Sequence, residues 1–241
     1  MTIKSKDKLI YEGKAKRIYS IQNDSNNYIQ EFKDDATAFN GIKKDSIKNK
    51  GIRNTSISSS IFTFLNESGI PTHFLGKISD NEMLVKKVEI IKVEVVCRNI
   101  AAGSLVKKFE FKEGDKLEKP LIEFYYKSDE AGDPLFTDEH IFRMKLATFN
   151  ELSAIKGMTF KINELLKEFF SERGIDLVDF KLEFGRDISN DNAIILADEI
   201  SPDTCRLWDK ETGKKLDKDR FRFDLGGVEE AYEEIEKRLQ R

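Results

Sequence analysis

The strongest constraint on this chain is the run from residue 179 to 209, DFKLEFGRDISNDNAIILADEISPDTCRLWD. Its first six residues alternate strictly, with Phe180, Leu182 and Phe184 on one side and Asp179, Lys181 and Glu183 on the other. Period-2 patterning of this kind specifies a strand with one face in a core. Residues 193–200 are a second, more continuously apolar strand with two acids, Asp198 and Glu199, at its far end. Ser189-Asn190-Asp191-Asn192 between them are turn formers, so the pair predicts a β-hairpin. Closure on Asn190-Asp191 as a two-residue loop sets Glu183 opposite Asp198, with Cβ atoms about 5 Å apart. Two carboxylates that close repel by about 4 kcal/mol at an effective dielectric near 20. A fold accommodates them with a cation between them, or with one kept protonated. The stretch predicts a divalent-metal hairpin, with a solvated acid pair eased by Lys181 as the alternative. These residues alone do not choose between the two.

A chain of 241 residues suffices for one large domain or two small ones with a substantial core, to which 18 Phe contribute. Forty-one basic against 44 acidic residues leave a net charge of −3. No global basic field therefore favours nucleic acid, and phosphate binding must come from local clusters. Cys97 and Cys205 lie far apart, and with only His73 and His140 beside them a structural zinc site fits poorly. Free buried thiols in a reducing compartment are expected instead. No charged-then-apolar leader opens the sequence and no stretch of about 20 apolar residues occurs. The expectation is a cytoplasmic protein with no membrane partner.

Taken in order, residues 8–35 read as short antiparallel strands punctuated by Gly13-Lys14 and by residues 23–27. In an extended segment Lys14 and Lys16 share a face, beside a glycine that lets backbone approach a ligand. Such a pair suits a polyphosphate, or simply defends an edge strand. Neither a Walker A nor a kinase glycine pattern accompanies it. Residues 34–50 read as an irregular polar loop, and 54–68 as a helix stopped by Gly69-Ile70-Pro71. Two strands around Ser79-Asp80-Asn81 follow, with a change of domain near residues 86–88. Residues 93–106 run from a buried strand into a small-residue loop carrying Arg98, Asn99 and Ser104, suited to an anion or to one structural ion pair. Asp138 is a candidate cap for a short helix. Thr148 and Glu151 have capping-box spacing for a long one, whose stripe Leu152, Ile155, Met158, Ile162, Leu165/Leu166 and Phe169 belongs to the core. A last helix covers 228–239.

Together, YEGKAKRIY (11–19), DDATAFNG (34–41), GIPTHF (69–74), LVKK (84–87), VVCRNIAAGSLVKK (95–108), VDFKLEFG (178–185), LADEISPDTCRLWD (196–209) and DKDRFR (217–222) resemble the SAICAR synthetase (phosphoribosylaminoimidazole-succinocarboxamide synthase) family. They occur colinearly, from Tyr11 to the last helix. The resemblance implies a two-domain α+β fold related to ATP-grasp and protein-kinase architectures, with antiparallel sheets and flanking helices. Residues 1–87 would be a mainly antiparallel β nucleotide-binding domain with one helix, and 88–241 an α+β domain carrying metal and substrate sites. It implies ATP-dependent ligation of carboxyaminoimidazole ribonucleotide (CAIR) to L-aspartate with Mg²⁺, in a homodimer. No covalent enzyme nucleophile is required, in keeping with a sequence that offers no Ser-His or Cys-His pair.

Carried over position by position, the resemblance implies that Lys14, Ala15 and Lys16 meet the ATP phosphates, and that Met83, Val85 and Lys86 lie beside the adenine. Glu183 and Asp198 are implied metal ligands. Arg98, Ser104, Arg206, Lys218 and Arg222 are implied contacts to the ribonucleotide's phosphate and carboxylate. Lys181 would stand between nucleotide, substrate carboxylate and aspartate, with Asp179, Lys127 and Asp129 near the aspartate pocket. Asn40, Gly132 and Cys205 depart from commoner residues of the family. A small-molecule kinase, using the same lysines and acids but stopping at phosphoryl transfer, is the first rival reading. A non-catalytic nucleotide- or RNA-binding module is the second.

Overall fold

The computed structural model describes residues 5–38, 41–128 and 130–240. Strands β1 (Lys6–Glu12), β2 (Lys16–Ile21) and β3 (Asp24–Phe32) form an antiparallel meander. β4 (Asp35–Ala38) and β5 (Lys43–Ser46) make a separate hairpin, followed by helix α1 (Lys50–Glu67), β6 (Phe74–Ser79) and β7 (Glu82–Lys86). β7 pairs with β3, giving a five-stranded sheet in the order β1-β2-β3-β7-β6. The long β8 (Val88–Ile100) opens the second sheet. After it come α2 (Ser104–Lys108), β9 (Lys116–Tyr126), β10 (Leu135–Phe136), α3 (Asp138–Arg143), α4 (Phe149–Ser171) and β11 (Ile175–Asp187). The chain finishes with β12 (Ala193–Ala197), β13 (Cys205–Asp209), α5 (Asp219–Arg222) and α6 (Val228–Leu239). The second sheet runs β10-β9-β8-β11-β12, and β13 also pairs with β11.

The mixed, antiparallel architecture follows from the patterns that predicted it. Phe180, Leu182 and Phe184 are buried along β11, as their alternation requires. On α4, Leu152, Ile155, Ile162, Leu166 and Phe169 are buried, with Met158 and Leu165 packed at the margin. Its capping box is formed: Glu151 N–H donates to Thr148 Oγ1 at 3.3 Å, and Thr148 N–H donates to Glu151 Oε2 at 2.7 Å. On α3 the cap is Thr137 rather than Asp138, and the reciprocal partner is the His140 ring. One apolar core runs from Ile61 and Leu65 of α1 and Met83 of β7 to Phe180 of β11 and Ile162 of α4.

Residues 35–46 and the start of α1 differ from expectation. Residues 35–46, read as an irregular loop, contain the β4–β5 hairpin; Phe39 and Asn40 lie outside the described residues. Ala36 and Ala38 are buried against Phe221, a contact from the far end of the chain that local propensity does not contain. Helix α1 starts four residues earlier than expected, at Lys50. Asn49 sits at φ 61° with no side-chain cap, and Asp34 supplies the missing acceptor, taking the Gly51 N–H at 2.9 Å. The hydroxyls of Thr55, Ser60 and Thr63 bond carbonyls one turn back, so they do not interrupt the helix.

The hairpin of β11 and β12 is built, but its register is one residue off. The closing pair is Asp187 with Ala193, leaving a five-residue loop in which Asp191 and Asn192 adopt positive φ. Asp187 stabilises this wider loop by accepting from the Ser189 N–H and hydroxyl at 3.1 and 2.6 Å. Glu183 therefore faces Ala197, not Asp198. A one-residue shift would send Asp198 to the opposite face of a continuing strand. β12 instead ends at Ala197, and Asp198 turns aside at φ 64°.

Candidate active site

Backbone bonds draw the two sheets together beside Asp198. His73 N–H donates to Leu196 O at 2.8 Å, Leu196 N–H to Pro71 O at 3.0 Å, and Lys86 N–H to His73 O at 2.7 Å. Gln30 of β3 donates to the Asp198 carbonyl at 3.2 Å. At this seam Lys16, the first residue of β2, pairs its ammonium with Asp198 and lies 2.9 Å from Glu199 Oε1. Lys127 pairs with Glu183. The acid opposite Glu183 in the sheet is Glu94 of β8, and Lys181 neutralises it at 2.6 Å.

The acids and lysines form one electrostatic unit. Burial pushes the Glu183 carboxyl up to about 7 and the nearby Asp198 charge adds to the rise, while Lys127 and Lys16 pull it back. Burial would also raise Asp198, but Lys16 and Lys127 hold it below the usual carboxylate range. Lys16 is desolvated as well, yet Asp198, Glu199 and Glu183 keep its pKa above that of a free lysine. The lysines answer the repulsion between Glu183 and Asp198 only in part: Asp198 stays ionised, and Glu183 takes up the remainder as a raised pKa.

A second cluster lies at the other end of the same stretch of β11. Asp179 Oδ2 accepts from Arg98 Nη1 at 3.1 Å and from Arg206 Nη1 at 2.7 Å. Arg98 also donates to Glu123 at 2.6 Å and to Ser104 Oγ at 2.8 Å. Arg206 continues to Asp219 at 2.9 Å, and Asp219 accepts from Arg222 at 2.6 Å. Both Arg98 and Arg206 are desolvated, but Asp179 and their other carboxylate partners hold their pKa values above the ordinary one. Gly103, at φ +58°, lies against this network: a Cβ there would stand 2.7 Å from Arg206 Cζ. Asp179 and Glu183 are four residues apart in one strand, so about 13 Å separates the clusters, with Lys181 between them.

The structure brings together Lys16, Lys127, Glu183 and Asp198, and separately Arg98, Ser104, Asp179, Arg206 and Arg222. Lys218 precedes α5, with Nζ 3.9 Å from Asp203 Oδ1. Lys14 and Ala15 bend between β1 and β2, so the extended geometry that would align Lys14 with Lys16 does not occur. The Met83 and Val85 side chains are committed to the core. Lys86 pairs with Asp187 at 3.0 Å, at the hairpin end of β11 and apart from Glu183. Asp129 lies outside the described residues. Sequence reasoning passed over Glu94, Glu199, Asp219 and Asp203 as site components. Only Glu199, adjacent to Asp198, carried a local signal.

The SAICAR synthetase family model matches residues 9–239. A phosphoribosylaminoimidazole-succinocarboxamide synthase of Prosthecochloris aestuarii is 55% identical over 235 residues, 98% of each chain. One of a Thermoanaerobacter species is 56% identical, covering 97% of this chain and 98% of its own. Among solved structures, the enzyme of that name from Ehrlichia chaffeensis superposes with a TM-score of 0.94 at 49% identity, covering 97% of this chain and 98% of the other. A SAICAR synthetase in complex with ADP superposes at 0.91 with 48% identity, covering 95% and 96%. The motifs, the antiparallel two-sheet fold and these matches over nearly the whole length agree: the chain belongs to the SAICAR synthetase family.

Proposed function

We propose that this chain joins the carboxylate of CAIR to the amine of L-aspartate at the expense of ATP, giving SAICAR, ADP and phosphate. The observation that carries the reading is the face of β11, where Asp179, Lys181 and Glu183 link an arginine cluster to a lysine–carboxylate cluster across about 13 Å. That spacing suits two anionic reactants meeting head to head. A CAIR carboxylate oxygen attacks the γ-phosphorus, the bond to ADP breaks, and an acyl phosphate results. The aspartate amine then attacks the acyl carbon, phosphate leaves with the bonding pair, and the amine nitrogen gives up a proton. Such chemistry is dominated by positioning and charge neutralisation.

In this reading Lys14, Ala15 and Lys16 serve the ATP phosphates, with Met83, Val85 and Lys86 in the strand beside the base. Residues 1–87 then act as the nucleotide-binding unit and 88–241 as the substrate unit. Ser104, Arg206, Lys218 and Arg222 receive the ribonucleotide's anionic groups. Arg98 is 3% exposed and its donors are taken by Glu123, Asp179 and Ser104, so its part is to hold Ser104 and Asp179 in place. Lys181, whose side chain is 43% exposed, can turn from Glu94 towards the reacting carboxylate. Asp179 and Lys127 border the aspartate pocket.

Mg²⁺ fits this donor set. Glu183 and Asp198 lie close enough for each charge to act on the other, and together they would supply two carboxylate oxygens; among the described residues no larger cluster of His, Cys, Asp or Glu that could hold a metal is present. A hard cation that completes its shell from phosphates and water accepts such a site. Bound there, it would neutralise charge on the transferring phosphoryl group. The same reading places the reaction in the cytoplasm in a homodimer, without nucleic acid; no helix among the described residues is long and apolar enough to cross a membrane.

A coupled ADP-release assay, omitting CAIR and L-aspartate in turn, tests the activity. Release should require the ribonucleotide and rise at least tenfold with aspartate; equal release without aspartate would favour a kinase. Glu183→Gln or Asp198→Asn should reduce turnover by about a hundredfold or more, and full activity in either would remove the metal assignment. Gly103→Ala forces the Arg206 guanidinium off Asp179 and Asp219. An expected fall of about a hundredfold in kcat/KM for CAIR is checked by steady-state kinetics, and an effect on ATP alone would contradict the placement of Arg206.

A further inference from the structure

Asp203 lies in the loop between β12 and β13, its side chain only 4% exposed. Oδ2 accepts from Asn54 Nδ2 at 3.0 Å and stands 2.6 Å from the Lys50 ammonium, both on α1. Oδ1 accepts from the Tyr232 hydroxyl of α6 at 2.8 Å. These contacts occupy both oxygens at close range. Lys218, by contrast, stops 3.9 Å from Oδ1, and its ammonium makes no hydrogen bond among the described residues although its side chain is 14% exposed. The Lys218 main chain is tied to the same loop, its N–H donating to Pro202 O at 3.1 Å. A structural ion pair closes to hydrogen-bond distance. This ammonium is attracted by a buried carboxylate yet keeps its donors for something else, with Arg222 on the next turn.

We propose that Asp203, clamped by Lys50, Asn54 and Tyr232, is a positioning residue that presents the Lys218 ammonium to an anionic group, phosphate or carboxylate, of the ribonucleotide. The inference rests on the assignment of Lys218 to that substrate. Asp203 acts through charge and through place: it anchors the loop to α1 and α6, and it keeps Lys218 protonated in a buried setting. Burial lowers the Lys218 pKa and the neighbouring charges of Lys50 and Arg222 add to the fall, opposed by Asp203 and Glu199. The arrangement joins the first helix, the last helix and the lysine before α5 in one bracket around the substrate's charged end.

Steady-state kinetics of the full chain, varying CAIR, ATP and L-aspartate separately, tests this with Lys218→Met, Asp203→Asn and the double variant. Each single variant should raise the CAIR KM about tenfold and leave the ATP KM within about twofold, and the double should be no worse than Lys218→Met. In Asp203→Asn the alkaline limb of kcat/KM for CAIR should move to lower pH, since the carboxylate facing Lys50, Asn54, Tyr232 and Lys218 no longer holds the ammonium charged against Lys50 and Arg222, while Glu199 is unchanged. Additive effects in the double variant, or equal losses for all three substrates, would overturn the positioning role alone. An unaltered CAIR KM in Lys218→Met would overturn the assignment of Lys218 and this inference with it. Tyr232→Phe, which removes one hydroxyl, gives the same decision if Asp203→Asn does not fold: the CAIR KM should rise about threefold, and a lowered melting temperature with unchanged KM would refute the proposal.

Discussion

Lys16→Met should lower kcat/KM for ATP by roughly a thousandfold and also destabilise the protein at neutral pH. The side chain is 13% exposed and its ammonium lies between Asp198 and Glu199, so methionine keeps the bulk but leaves two desolvated carboxylates without their shared cation. Breaking a buried pair from one side costs about 3–5 kcal/mol. The pH dependence has a definite sign. Asp198 titrates below the usual range in the folded protein, so the stability it confers is present above its unfolded value of 3.8 and is lost as pH falls through the folded value. Without Lys16 its pKa rises, and the carboxyl takes up a proton while the wild type stays ionised. The stability gap should therefore be widest near pH 7 and shrink as the pH falls towards 3.8 and below. Thermal unfolding across that range checks it; a gap independent of pH would mean that Lys16 is not the counter-charge of Asp198. Lys16→Arg should recover more of the stability than of the activity, because a guanidinium satisfies the acids but reaches a phosphate with different geometry.

Gly51→Ala should destabilise the chain by about 2–4 kcal/mol, although alanine is the better helix former. The reason is α1 crossing β3. A Cβ at residue 51 would lie 2.7 Å from Phe32 O, 3.0 Å from the carbon of that carbonyl and 3.3 Å from Asp34 Oδ1. The first two are backbone atoms of a paired central strand and cannot rotate away. Separation of the helix would also weaken the Gly51 N–H to Asp34 bond that replaces its N-cap. Gly157, exposed on α4 with nothing within 4 Å of its Cβ position, provides the contrast. Gly157→Ala should stabilise by up to about 1 kcal/mol. Chemical denaturation of both variants decides the matter, and a stabilised Gly51→Ala would mean that α1 does not sit this close to β3.

Elements whose information is local were legible before any tertiary structure. The Thr148/Glu151 capping box and the stripe from Leu152 to Phe169 specified α4, because a helix terminus and its buried face are set within a few turns. The alternation at 179–184 specified β11 and the face that enters the core. Glu183, Asp198, Lys16 and Lys127 of the site were also named, through residue chemistry and colinear motifs, whereas Glu94 and Glu199 were not.

Chain packing decided how those residues meet. Asp187 capping a five-residue loop moved the hairpin register by one and set Ala197, not Asp198, opposite Glu183. A positive φ at Asp198 and the bridges from residues 71–73 to Leu196 then turned that acid towards Lys16, 182 residues away in sequence. Glu94 became the cross-strand neighbour of Glu183 only because β8 lies beside β11. The sequence by itself determined the elements with a local signature, such as α4 and β11, and the motif-borne groups Lys16, Lys127, Glu183 and Asp198, since propensity, periodicity and capping act over a few residues. Only the tertiary structure decided the pairings, because strand register and the partners of buried charges depend on contacts between segments that local pattern cannot relate.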